Sequence, residues 1–188
     1  MATTKGQRIG IWIITGALVL GTFGGFLAMV LAPKNEATDQ AKMEKEYAEY
    51  LKQAEEQAKA HAASSKPLEG FEATLFDKAS VTELKVETLK EGEGEALTAD
   101  STISANYFGW TSDGKIFDST NQNGTVTPTE FSLAQVIEGW TKGLTGVKVG
   151  STVRLTIPAS LAYKERGNSP NIGPNEPLQF IVEVKEKK

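Results

Sequence analysis

The stretch YFGWTSDGKIFDST, residues 107–120, decides the fold of this chain. Upstream of it Ile103, Ala105 and Tyr107 alternate, Asp113-Gly114 has the spelling of a tight turn, and the chain returns through Ile116-Phe117, so the stretch predicts a β-hairpin. Within it, Asp118 directly follows the aromatic residue of the returning strand. A plain hairpin keeps carboxylates at its turn and on its wet face, so this one needs a reason.

Working outward, the neighbouring segments also read as short strands. Leu84-Val86 with Leu89 forms one, stopping at the glycines of residues 92–94. Val153, Leu155 and Ile157 alternate with Arg154 and Thr156, and Leu178, Phe180, Val182 and Val184 alternate with Gln179, Ile181, Glu183 and Lys185. Each predicts a strand with one apolar face. Leu133, Val136, Ile137, Trp140 and Leu144 instead share one stripe of a short helix. Gly139 and Gly143 within it make sense if that helix packs closely on a sheet. Four or five strands and one amphipathic helix imply an α+β domain, an antiparallel sheet wrapped on the helix. The segment 70–81 is open to reading as an added edge strand. Residues 163–177, YKERGNSPNIGPNEP, predict a long loop of the kind that is usually functional or disordered.

The chain has 188 residues, 39% hydrophobic and 23% charged, with no cysteine. Disulfides, thiolate metal sites and thiol nucleophiles are thereby excluded. Its net charge is −4, and removing the two cations Lys5 and Arg8 leaves −6 after residue 32. An acidic body without a basic stripe argues against nucleic acid as a partner.

Residues 9–32 carry no charge. As a helix they would reach about 36 Å, enough to cross a hydrocarbon core of about 30 Å. A cleaved signal peptide would have a shorter apolar region, and Pro33 stands where cleavage after Ala32 would fall. The expectation is a transmembrane signal anchor with residues 1–8 as a cytoplasmic tail and the remainder extracytoplasmic. Residues 33–66 then read as a polar helical linker: 39–63 are rich in Ala, Glu, Lys and Gln, with Asp39 as N-cap. The plainer reading is a solvated spacer. The sharper one is weak pairing of two chains, through the thin stripe Met43, Tyr47, Tyr50, Leu51, Ala54 and Ala58 or through Ala17, Gly21 and Gly25 of the anchor. His61, the only histidine, is expected at the surface. The folded domain follows at 67–188.

Taken in order, LKVETLKEGEGEAL, ANYFGWTSDGKIFDST, QVIEGWTKGLTGVKVGSTVRLTIP, LAYKERG and LQFIVEV resemble the FKBP-type peptidyl-prolyl cis-trans isomerases over a core of residues 84–184. The resemblance implies an antiparallel half-barrel over a short helix and a cup that binds proline rings. It places Trp140 at the floor of the cup. Tyr107, Phe117, Val136, Ile137, Ile172 and Phe180 become its walls, Asp118 the polar group at its rim near the Tyr107 hydroxyl, and Tyr163 a hydroxyl offered to the bound peptide. No cofactor and no metal is implied, and the partners are proline-containing polypeptides. The family usually has another aromatic wall near Thr129. Gln135, Lys164 following Tyr163, Gly173 before Pro174 and a shorter FSLAQVI segment are further departures. These imply a cup open on one side, with weaker or shifted isomerase activity and weaker macrolide binding. The alternative is a membrane-tethered holdase that binds peptides with little catalysis. Glu91, Glu93 and Glu95 are expected at a solvated turn, without a catalytic role.

Overall fold

The computed structural model describes residues 37–188, with side chains from residue 43. The expected anchor at 9–32 and the tail before it lie outside the described residues. Among the described residues no helix is long and apolar enough to cross a membrane.

Helix α1, Ala37–Ser64, starts two residues before the expected 39–63, so Asp39 sits inside it and is not the N-cap. Its side chains are exposed along most of its length, as a solvated spacer requires, but its last turn is seated on the domain. It leads into strand β1, Ser65–Lys66, which joins β5, Asn121–Gln122, and β6, Thr125–Val126, in a small three-stranded sheet.

The main sheet has six antiparallel strands. Its path runs β2 (Lys85–Lys90), β8 (Thr152–Ile157), β9 (Leu178–Lys187), β3 (Thr102–Thr111), β4 (Ile116–Ser119), with β7 (Thr129–Ser132) also on β3. Strand β3 is its centre. One edge pairs with β9 along its whole length, while the other is divided between β7, opposite residues 102–105, and β4, opposite residues 108–110. The expected hairpin is present, closed by Gly114 N–H donating to the Thr111 carbonyl at 2.9 Å.

Two further expectations are corrected. The stripe 133–144 is not one helix: a 3₁₀ turn at Leu133–Gln135 and helix α2 at Glu138–Leu144 are separated by extended residues Val136 and Ile137. Both are β-branched and stiff at χ1, which weakens helix continuity, and the break points them out of the helix line. The strands β3 and β9 are also not one-sided. Their first faces meet α2 in the main core, through Ile103, Tyr107, Trp140, Phe180 and Val182, among others. Their second faces bury Phe108, Trp110 and Ile181 with Leu68. That second face is covered by segment 68–76, with Phe71, Ala73 and Phe76 packed against it and Trp110 Nε1 donating to the Thr74 carbonyl at 3.0 Å. Segment 70–81 is therefore a cover with a 3₁₀ turn at Lys78–Ser80, not an edge strand. The glycines of α2 do what their spacing suggested. A Cβ on Gly139 would stand 2.3 Å from Ile157, and one on Gly143 2.9 Å from Leu155, so glycine is what lets the helix lie on β8.

Candidate active site

Strand β3 delivers Tyr107 to the face that carries α2. The ring meets Trp140 edge to face, with centroids 5.2 Å apart and planes at 90°. Trp140 receives two more edges, from Phe180 at 5.2 Å and Phe131 at 5.0 Å. Phe117 stands against Phe180 at 5.5 Å and 86°. Edge-to-face pairs of this kind bring the positive rim of one ring onto the negative face of another. The indole thus lies at the centre of a cluster of aromatic rings, at the position where the resemblance expects the floor of a cup. Phe117, Ile172 and Phe180 belong to the same buried cluster, with Val136, Ile137 and Tyr163 half-buried against it.

The position of Asp118 now has a physical reason. Gly109 pairs with Asp118 and Trp110 with Ile116, so Phe117 is the extra residue of a β-bulge. A bulge breaks the alternation of side chains along a strand and re-aims them. Ile116 goes to the second face with Trp110, while both Phe117 and Asp118 reach the cup side. Gly109 opposite them leaves the room: a Cβ there would lie 2.4 Å from Phe180 and 2.6 Å from Phe117.

Asp118 is 1% exposed. The Tyr107 hydroxyl donates to its Oδ2 at 2.7 Å. Its other oxygen, Oδ1, lies 2.7 Å from His61 Nε2, at the end of α1. The expectation that His61 is a surface residue is therefore wrong: its side chain is 10% exposed and pairs with the rim carboxylate. A sequence separation of 57 residues hides such a contact from any local pattern. Burial pushes the Tyr107 hydroxyl well above the ordinary tyrosine pKa, and the Asp118 charge adds to the effect. Burial likewise raises Tyr163, with the Asp118 charge second and a hydrogen bond with Asn168 opposing. Both phenols stay protonated donors at any working pH, and both sense Asp118.

Two more residues of the site were not foreseen. Phe131 serves as an aromatic wall against Tyr107 at 6.1 Å and Trp140, on the strand β7 that also holds Thr129 opposite Ala105. Alternation from Thr129 would have found it, since residues two apart share a strand face. Thr120 fills the gap in the ladder between β4 and β7. Its N–H donates to the Tyr107 carbonyl at 2.9 Å, and its hydroxyl accepts from Tyr107 N–H at 2.9 Å, so the Tyr107 backbone is pinned on the edge where neither β4 nor β7 faces it. Among the described residues no group of three or more His, Cys, Asp or Glu could hold a metal ion. Glu91, Glu93 and Glu95 are exposed at their turn.

A sequence model of the FKBP-type peptidyl-prolyl cis-trans isomerases matches residues 93–185. The FKBP-type isomerase FkpA of Escherichia coli K12 is 37% identical over 153 residues, covering 81% of this chain and 52% of that protein. A probable FkpA of Neisseria meningitidis is 40% identical over 107 residues, covering 57% of this chain and 39% of that protein. The isomerase Mip of Coxiella burnetii is 37% identical over 107 residues, covering 55% and 46%. The chain thus spans about two-fifths to half the length of these three relatives. The crystal structure of a Pseudomonas syringae peptidyl-prolyl cis-trans isomerase superposes with a TM-score of 0.52 at 28% identity, over 73% of this chain and 95% of that one. By this matched core, residues 93–185 belong to the FKBP-type peptidyl-prolyl cis-trans isomerase family.

Proposed function

We propose that this chain catalyses cis-trans isomerisation of X-Pro bonds in polypeptide clients by a non-covalent route. The observation that carries the reading is the pairing of Tyr107 with a buried Asp118 at the edge of a cup floored by Trp140. Amide resonance opposes rotation with a barrier of about 18–20 kcal/mol, and the uncatalysed step takes tens to hundreds of seconds. Twisting the bond breaks that resonance, localises the lone pair on the proline nitrogen and lessens charge on the carbonyl oxygen. An apolar cup in place of water favours this less dipolar state, and a shape that fits the twisted ring binds it more tightly than the planar one. No bond to the protein is made, so no nucleophile or general base is required. Asp118 orders the rim, and Tyr163 offers a hydroxyl to the peptide carbonyl.

The uncharged run 9–32 after Lys5 and Arg8 supports a setting for this activity: a single-pass anchor with the isomerase domain outside the cytoplasm. There it would speed the slow proline steps of folding. The mostly exposed arm α1 would hold the cup away from the bilayer by about 42 Å if straight.

A protease-free isomerisation assay of the full chain on short X-Pro peptides tests the proposal. We expect catalysis that falls about tenfold or more in Phe117→Ala. An uncatalysed rate for the wild type would end the enzymatic reading. If the same chain then suppressed aggregation of a client lacking proline, it would be a peptide-binding holdase.

A further inference from the structure

We propose that His61 is a positioning residue of the isomerase site, supplied from outside the matched family core by the last turn of α1. This rests on the isomerase reading and adds a part to it. A carboxylate can only accept, so the proton between His61 Nε2 and Asp118 Oδ1 at 2.7 Å belongs to the imidazole. The amide nitrogen of Gln122, 3.3 Å from the same Nε2, is a donor already spent on the Ser119 carbonyl at 2.7 Å and Ser65 Oγ at 3.0 Å. Asp118 therefore has both oxygens occupied: Tyr107 holds one and His61 the other. The Tyr107 donor comes from the central strand β3; the His61 donor comes from the arm.

The arm is built to hold that ring in place. The hydroxyls of Ser64 and Ser65 both donate to the His61 carbonyl at 2.9 Å, capping the end of the helix at the histidine itself. The single Ser64 hydroxyl proton is shared between that carbonyl and Gln122 Oε1, and Asn123 N–H donates to the Ser64 carbonyl at 2.9 Å. One turn back, Asn171 Nδ2 donates to the Ala58 carbonyl at 3.1 Å, which ties the arm to the loop carrying Ile172. The last turn of α1 thus bridges the rim carboxylate on β4 and a wall residue on the long loop. Removing the imidazole leaves Oδ1 a buried acceptor with no other hydrogen-bond donor among the described residues, free to turn away from its place at the rim.

Because His61 is the chain's only histidine, its ring nitrogens can be followed without assignment in a tag-free full-length sample labelled with ¹⁵N-histidine. We expect the ring signals to move in Asp118→Asn and on adding a short Ala-Pro peptide. We also expect His61→Ala to lower kcat/KM about three- to tenfold and His61→Gln, which can place an N–H at the same position, to recover most of it. The double variant His61→Ala with Asp118→Asn should be no worse than Asp118→Asn alone. Should His61→Ala fail to fold, His61→Gln against wild type and the ring spectrum carry the decision. Ring signals indifferent to Asp118→Asn, losses that multiply in the double variant, or activity unchanged in a folded His61→Ala would each overturn the proposal. An active wild type with any of these results removes only the role of His61. An inactive wild type removes the isomerase reading and this role together.

Discussion

The two faces of the main sheet carry two aromatic clusters, fed by the same strand. Tyr107 goes to one, Phe108 and Trp110 to the other. Both are dry: Trp110 and Trp140 are each 1% exposed. On the second face Phe108 and Trp110 stack at 5.0 Å and 18°, and the one indole N–H is spent on the Thr74 carbonyl. On the cup face the rings meet at right angles, and a carboxylate and two phenols stand among them. Aromatic burial therefore does not mark the site. The mark is a charged group held at its edge by donors from two elements, Tyr107 on β3 and His61 on α1, which a core built for packing alone has no reason to bear the cost of.

The comparison breaks first at Trp110. Trp110→Ala should cost about 3–5 kcal/mol of stability through the cavity it leaves, yet leave kcat/KM per folded molecule as in wild type. Thermal melting and the isomerisation assay on one sample read both numbers. A catalytic loss as large as the stability loss would mean the second face supports the site after all. Asp118→Asn should show the reverse. It keeps shape but removes the charge from two hydrogen bonds, each worth about 1.5–3 kcal/mol when charge-assisted. Since 1.4 kcal/mol is a factor of ten in rate, we expect activity to fall about tenfold or more with the fold retained. Near-wild-type activity would move the chemistry away from the rim.

How much of this the sequence disclosed depends on the distance over which each feature is encoded. The hairpin, the strands at 152–157 and 178–187 and the close approach of α2 were legible because period and glycine spacing are local. The second face was not: Phe108, Trp110 and Ile181 occupy positions that a half-wet strand would give to polar groups, and their cover lies at 68–76, far from them in the chain. The break at Val136–Ile137 escaped notice because a stripe with helical spacing is also satisfied by a turn and a helix in line. Trp140, Tyr107 and Asp118 could be placed by resemblance. His61 could not, since only the docking of α1 brings it to the rim, and it falls outside residues 93–185.

Tyr107→Phe sharpens the contrast at smaller amplitude. It removes the hydroxyl from Asp118 Oδ2 while keeping the edge-to-face contact with Trp140. We expect kcat/KM to fall about fivefold, equivalent to about 1 kcal/mol, the usual net worth of one hydrogen bond. The change also has a signature in pH. Burial holds Tyr107 protonated above its unfolded value, so above about pH 10 the unfolded chain loses a proton that the folded one keeps. Stability from this source is complete below about pH 10 and is lost as pH rises toward the folded value. Denaturant midpoints between pH 9 and 11 should therefore fall less steeply in Tyr107→Phe than in wild type. Phe108, one residue along on the other face, has no group to titrate, so the difference in alkaline slope between the two proteins belongs to Tyr107.

The smallest effect is expected at a seam between the cover of the second face and the long loop that walls the cup. Glu176 accepts from Ser112 N–H at 2.9 Å and Ser112 Oγ at 2.6 Å, and its other oxygen takes Lys78 Nζ at 2.8 Å. Partial burial pushes its carboxyl up, but the bonds from Lys78 and Ser112 outweigh that and hold it below the ordinary glutamate value. Its contribution is thus present above the unfolded carboxylate range, about pH 4.3, and disappears as pH falls through the lower folded value. Lys78 is well exposed, so solvent screening limits the ion pair, and Glu176→Gln should lower the melting temperature at pH 7 by only about 2–4 °C, equivalent to about 1 kcal/mol. The gap between variant and wild type should shrink as pH drops below 4. A gap that is constant down to pH 3 would mean that shape, and not charge, joins the cover to the loop. A change in kcat/KM without a change in melting would show that this seam also sets the wall of the cup.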